Sequence, residues 1–73
     1  MASEIVDCPI TGKILEVKVE VGSKVEEGDV VCLLESMKME NPIFATASGT
    51  ISEIAVTVGQ TVKFGETLVV IEY

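Results

Sequence analysis

Two stretches of the chain share one pattern, VGSKVEEGD at residues 21–29 and VGQTVKFGE at residues 58–66. Both read V-G-x-x-V-x-x-G followed by an acidic residue, and they lie 37 positions apart. The same offset relates all the glycines of the chain, those at positions 12, 22 and 28 to those at 49, 59 and 65. An internal repeat indicates the architecture of a chain more directly than any single residue does. We therefore interpret the chain as two similar halves, about residues 12–36 and 49–73.

Each half has the alternation that is typical of β-strands. Apolar and polar side chains alternate through residues 14–21 and 51–58, and β-branched residues dominate both segments. The paired glycines that follow predict turns. Neither half can bury its own apolar face, so the two should pack together as an all-β sandwich or flattened barrel with a pseudo-twofold axis. The predicted core includes Val17, Val19, Val25, Val31, Ile54, Val56, Val62 and Leu68.

Size and charge limit the class of protein. A chain of 73 residues forms one domain, and a hydrophobic content of 48% supplies a core. The net charge of −7, with no arginine, argues against a nucleic-acid partner or an anionic membrane. The acidic surface is either simply solvated or a face that docks on basic enzymes. There is no long apolar run and no signal peptide, so we expect a cytoplasmic protein that is monomeric in isolation.

The inventory of reactive side chains argues against a self-sufficient enzyme. Histidine is absent, which removes the commonest general base and zinc ligand. Cys8 and Cys32 lie 24 residues apart without a C-x-x-C motif, so we expect buried free thiols rather than a metal or redox site. No glycine-rich phosphate loop is present. We therefore predict a non-catalytic protein without a metal site.

The segment that joins the halves, SMKMENPI at residues 36–43, has no counterpart in the second half. Under twofold symmetry its equivalent is the pair of chain ends, so Lys38 should lie at the pole opposite the termini. Turn propensity alone places the turn at residues 40–42, since Met-Lys-Met lacks the asparagine or glycine of tight hairpins. On composition alone, Lys38 is either a solvated charge with Met37 and Met39 packed inward, or a group presented for function.

The stretch ESMKME at residues 35–40 resembles the biotin attachment motif of biotin carboxyl carrier domains, whose usual form is EAMKM. The resemblance extends over about residues 9–72 and includes both glycine patterns. It implies a biotinyl/lipoyl fold of two four-stranded antiparallel sheets over residues 1–73, with the turn centred on Met37 and Lys38.

The resemblance also implies a function. Lys38 would carry biotin through an amide bond made by a biotin protein ligase, with Met37 and Met39 flanking it. The domain would shuttle an activated carboxyl group between the biotin carboxylase and the carboxyltransferase of a biotin-dependent carboxylase, decarboxylase or transcarboxylase. The remaining lysines, at positions 13, 18, 24 and 63, would be solvated charges.

The sequence departs from the usual family pattern in small ways. Ser36 replaces an alanine, Thr11 replaces a proline, and Pro42 stands where many relatives have glutamate. No protruding insertion precedes the motif, which resembles the thumbless type of domain. Two other functions stay open: a lipoyl carrier, whose lysine is usually flanked as Asp-Lys-Ala, and an unmodified interaction module of the same fold. The chain is either a free-standing carrier or part of a larger subunit.

Overall fold

The computed structural model describes residues 2–73, and these form two antiparallel four-stranded sheets without a helix. The strand order is β1-β8-β6-β3 in one sheet and β5-β4-β2-β7 in the other. This confirms the all-β fold predicted from the repeat. Nothing in this part of the chain is a helix that could cross a membrane. The strands are β1 (Ser3–Asp7), β2 (Gly12–Val17), β3 (Lys24–Val25), β4 (Val30–Ser36), β5 (Met39–Phe44), β6 (Gly49–Ile54), β7 (Thr61–Val62) and β8 (Thr67–Glu72).

The pseudo-twofold relation is visible in individual hydrogen bonds. Gly28 N–H donates to the carbonyl of Ala45, and Gly65 N–H donates to the carbonyl of Cys8, each at 2.9 Å. Both glycines have positive φ, 97° and 89°, which side chains other than glycine rarely adopt. The predicted equivalence of Gly28 and Gly65 is therefore confirmed. The offset of 37 also relates β1 to β5, so the structural repeat begins before Gly12.

Two other glycines allow close packing within each sheet. A Cβ atom on Gly12 would overlap the carbonyl oxygen of Glu35, and one on Gly49 would overlap that of Glu72. These glycines begin β2 and β6, the strands that pair with β4 and β8. The repeat relates Gly12 to Gly49 and Glu35 to Glu72, so the same close approach of two strands occurs once in each half.

The buried residues confirm part of the core that the sequence predicted. Val25, Val31, Val56, Val62 and Leu68 are buried. Three other predicted core residues, Val17, Val19 and Ile54, are only partly buried and pack against the rim of the core.

The reason for this correction is a register shift in the first strand of each half. The pairing of β2 with β4 shifts between Ile14 and Glu16, and that of β6 with β8 shifts between Ile51 and Glu53. Such a bulge interrupts the period-two alternation. Ile14 and Ile51 consequently fill the core centre, with Leu34, Val69 and Ile71 from the neighbouring strands.

The β4–β5 turn and the chain ends lie at opposite ends of the molecule. Ala2 and Tyr73 exchange two backbone hydrogen bonds, and their repeat equivalents Met39 and Ser36 pair at the turn. Lys24 of β3 pairs with Thr50, which pairs with Glu72 beside the C-terminus, and the chain then enters β4 at Val30, the end of that strand farthest from the turn. The molecule is 36 Å long. This confirms the predicted placement of Lys38. A surface groove is lined by Val6, Asp7, Pro9, Pro42, Ile43, Phe44 and Thr46.

Candidate attachment site at the β4–β5 turn

Met37 and Lys38 form a two-residue turn between β4 and β5. Their φ angles are 53° and 66°, the only positive values among the non-glycine residues that the structure describes. Positive φ at both central residues is what a type I′ hairpin requires. The turn therefore lies where the family resemblance placed it. The propensity-based position at residues 40–42 is wrong, because these residues continue β5 and pair with β4.

The side chains of this turn point into solvent. Met37 is 91% exposed and Met39 is 68% exposed, so the reading in which both methionines pack inward is wrong. Lys38 is also exposed, and its ammonium group makes no ion pair with any residue of the described range. Such a primary amine, exposed at the tip of a tight hairpin, can be acylated without breaking an ion pair.

Asn41 ties the two strands together just below the turn. Its Nδ2 donates to the Met39 carbonyl at 3.1 Å and reaches the Leu34 carbonyl of the opposite strand at 3.5 Å. One amide group thus bridges both strands of the hairpin. Sequence reasoning missed this residue, although asparagine often bonds to nearby backbone groups. Its repeat equivalent, Glu4, makes no comparable side-chain hydrogen bond within residues 2–73.

Charged residues form a row across the sheet directly behind the turn. Glu35 of β4 pairs with Glu40 of β5 on one side and with Lys13 of β2 on the other. Two like charges opposite each other destabilise a sheet, and a lysine beside them offsets part of this effect. Pro42 lies on β5, the edge strand of its sheet, where the missing N–H is tolerated. The turn is therefore held by backbone pairing and Asn41 rather than by ion pairs.

The two thiols lie away from the turn, inside the fold. Cys8 and Cys32 are free and buried, as the sequence predicted. Burial raises the pKa of both thiols, that of Cys32 to about 11, with a smaller contribution to Cys32 from the nearby Cys8. Neither thiol is a nucleophile at neutral pH. Among residues 2–73 no cluster of three metal-ligating side chains occurs. The chemistry that this end of the domain offers is that of the Lys38 amine.

Comparison with known proteins supports this interpretation. A biotin carboxyl carrier protein from Streptococcus mutans is 46% identical over 70 residues, covering 96% of this chain and 54% of that protein. A biotinylated protein TB7.3 homolog from Mycobacterium leprae is 42% identical, covering 94% of this chain and 97% of that protein. This chain thus spans about half of the streptococcal relative and nearly all of the mycobacterial one.

Solved structures show the same fold. The urea carboxylase of Kluyveromyces lactis contains a region that superposes with a TM-score of 0.92 at 33% identity, over 99% of this chain and 6% of that one. The family model described as "Biotin-requiring enzyme" matches residues 1–71. The chain belongs to this biotin-requiring enzyme family.

Proposed function

We propose that this chain is a biotin carboxyl carrier in which Lys38 holds biotin through an amide bond. The observation that carries the proposal is an exposed, unpaired lysine in a tight turn, flanked by Met37 and Met39. The neutral Nζ would attack the activated carboxyl carbon of biotin, losing a proton as the leaving group departs. Biotin once attached supplies the ureido nitrogen that accepts and releases the carboxyl group.

The chain's own residues would position this arm rather than catalyse. The turn holds the Lys38 backbone rigid, while the four methylenes of its side chain add freedom of movement. Amide formation removes the lysine charge, so the arm can enter an apolar active site at lower desolvation cost. Tethering raises the local concentration of the carried group at a biotin carboxylase and then at a carboxyltransferase. The domain itself is proposed to be non-catalytic.

We also propose that the carrier works in the cytoplasm and is monomeric on its own. The two buried free thiols are typical of proteins in reducing compartments. The net charge of −7 disfavours self-association.

Intact-mass measurement tests the attachment. The wild type is co-expressed with a biotin protein ligase in biotin-rich medium, beside Lys38→Arg and Lys13→Arg. We expect one biotinyl increment on the wild type and on Lys13→Arg, and none on Lys38→Arg. Arginine keeps the charge and length at position 38, so its failure to react would identify the amine. An increment on Lys38→Arg would refute the site. A wild type that takes up lipoate but not biotin would favour the lipoyl alternative.

A further inference from the structure

Three connections of the chain meet at the end of the molecule that carries Lys38. Lys13 of β2 pairs with Glu35 of β4 and with Thr61 of β7. Because β2 runs antiparallel to both strands, the loop before β2 lies at the same end as the turn after β4 and the loop after β7. The loop after β7 is fastened there, because Phe64 N–H donates to the Thr11 hydroxyl at 3.1 Å. Strands β4 and β7 are separated by β2, which places this loop about 10 Å from the turn.

This end of the molecule is apolar as well as exposed. Phe64 is 75% exposed, and Ile10 on the neighbouring loop is exposed too. Together with the two methionines they place four exposed apolar side chains at the same end as Lys38, and this exposure costs free energy in an isolated domain. We call this surface the end face; it consists of Ile10, Met37, Met39 and Phe64.

The internal repeat shows that the fold does not require these side chains. The offset of 37 relates Phe64 to Glu27 and Ile10 to Ala47 at the opposite end. The backbone is the same in both places: Glu66 N–H donates to the Lys63 carbonyl, and Asp29 N–H donates to the Glu26 carbonyl, each at 3.0 Å. Since one backbone accepts Phe64 at one end and a glutamate at the other, the apolar residues serve something particular to the Lys38 end.

Charge also differs between the two ends. Three of the five lysines lie in or beside the elements at the Lys38 end, so this end is less acidic than the rest of the molecule, although it carries carboxylates too. These lysines are Lys13, Lys38 and Lys63. A partner that reaches Lys38 therefore meets exposed apolar side chains with charges of both signs beside them.

We propose that the end face is the docking surface for the biotin protein ligase, with Phe64 as an apolar anchor outside the Met-Lys-Met turn. This inference rests on the proposed function. The ligase must act on an unmodified lysine, whose side chain is short, so its active site has to approach the turn closely and cover the neighbouring residues. The biotinylated arm is longer, so the later enzymes can reach the carried group from a greater distance. A matching ligase surface would present an apolar area to these side chains.

Steady-state biotinylation kinetics test this proposal on the intact chain. We would measure kcat and KM for the wild type, Phe64→Ser, Phe64→Glu and the control Tyr73→Ser. Tyr73 is an exposed aromatic residue (56%) at the opposite end, so it matches Phe64 in chemistry but not in place. We expect Phe64→Ser to raise KM by about tenfold with kcat unchanged, as for an aromatic anchor at an interface. Phe64→Glu, which copies the other end, should raise KM further.

The outcomes separate the two proposals. Tyr73→Ser should keep KM within about twofold of the wild type, and all variants should unfold near the wild-type temperature because these side chains are exposed. A KM for Phe64→Ser equal to that of the wild type would overturn the docking surface and leave the carrier function intact. Equal KM increases for Phe64→Ser and Tyr73→Ser would also overturn it. A wild type that is not biotinylated at all would overturn both.

Discussion

Replacing Met37 by asparagine should stabilise the domain while impairing its modification. Met37 has a φ of 53°, and the left-handed conformation costs most non-glycine residues about 1–2 kcal/mol. Asparagine adopts this conformation readily, and it avoids the greater backbone freedom of glycine in the unfolded chain. Most of the left-handed cost should therefore disappear.

The loss of the methionine side chain opposes this gain only slightly, because Met37 is 91% exposed. Its lost contacts are worth less than about 0.5 kcal/mol. We expect a net gain of about 0.5–1 kcal/mol in the free energy of unfolding, or about 2–8 °C in Tm for a domain of this size. Urea and thermal unfolding followed by circular dichroism measure both quantities.

Met39→Asn is the matched control. Met39 is also exposed but begins β5, where asparagine is disfavoured, so this variant should lose up to about 1 kcal/mol. Met37→Asn should also lower kcat/KM for biotinylation, since a methionine of the end face is lost. A destabilised Met37→Asn, or equal stability changes in the two variants, would refute the claim that the left-handed backbone at residue 37 is strained with methionine there.

Three further changes test the surroundings of the site and the core. Asn41→Leu should lower the free energy of unfolding by about 1 kcal/mol in urea titrations, because it removes the amide that bridges β4 and β5; Glu40→Gln, on the same strand, should not destabilise the fold. Val56→Ala should cost about 2–3 kcal/mol, and its repeat equivalent Val19→Ala clearly less, because only Val56 is buried; equal urea midpoints would contradict this. Burial raises the pKa of Cys32 from 9.0 to about 11, so the folded thiol keeps a proton that the unfolded one releases, and the free energy of unfolding should fall as pH rises from 9 to 11. Cys32→Val should flatten that part of the pH profile, and an unchanged slope would show that other groups cause it.

The sequence was sufficient for the architecture because its signals are local and occur twice. The glycine pattern specifies positive φ in each half, and the β-branched alternation specifies strands, so fold class and symmetry follow without knowledge of contacts. The bulges near Leu15 and Ser52 have no such local signal. They result from how each strand pairs with its neighbour, and they decide whether Val17 and Ile54 reach the core.

The same distinction between local sequence signals and strand pairing applies to the candidate site. Lys38 and its two methionines were identified by resemblance to a family motif, while local propensity favoured the wrong turn. Asn41 and Phe64 could not be identified in this way, since each acts through a neighbour that is brought close by strand pairing. The contact of Phe64 with Thr11 joins residues 53 positions apart in sequence. Only the register of β2 with β4 and β7 places that loop beside the lysine.

Duplication accounts for why a strained turn can persist at this position. The repeat supplies most of the core and all four positive-φ glycines, so the stability of the fold does not depend on good turn chemistry at its tip. At the opposite end the equivalent position is the gap between the chain termini, closed by hydrogen bonds between Ala2 and Tyr73. The hairpin that joins the halves is therefore free to present a reactive side chain. Its left-handed backbone projects Lys38 from the edge of a rigid sheet, and Asn41 secures the strands beneath it. Changes at the tip should therefore alter modification much more than folding.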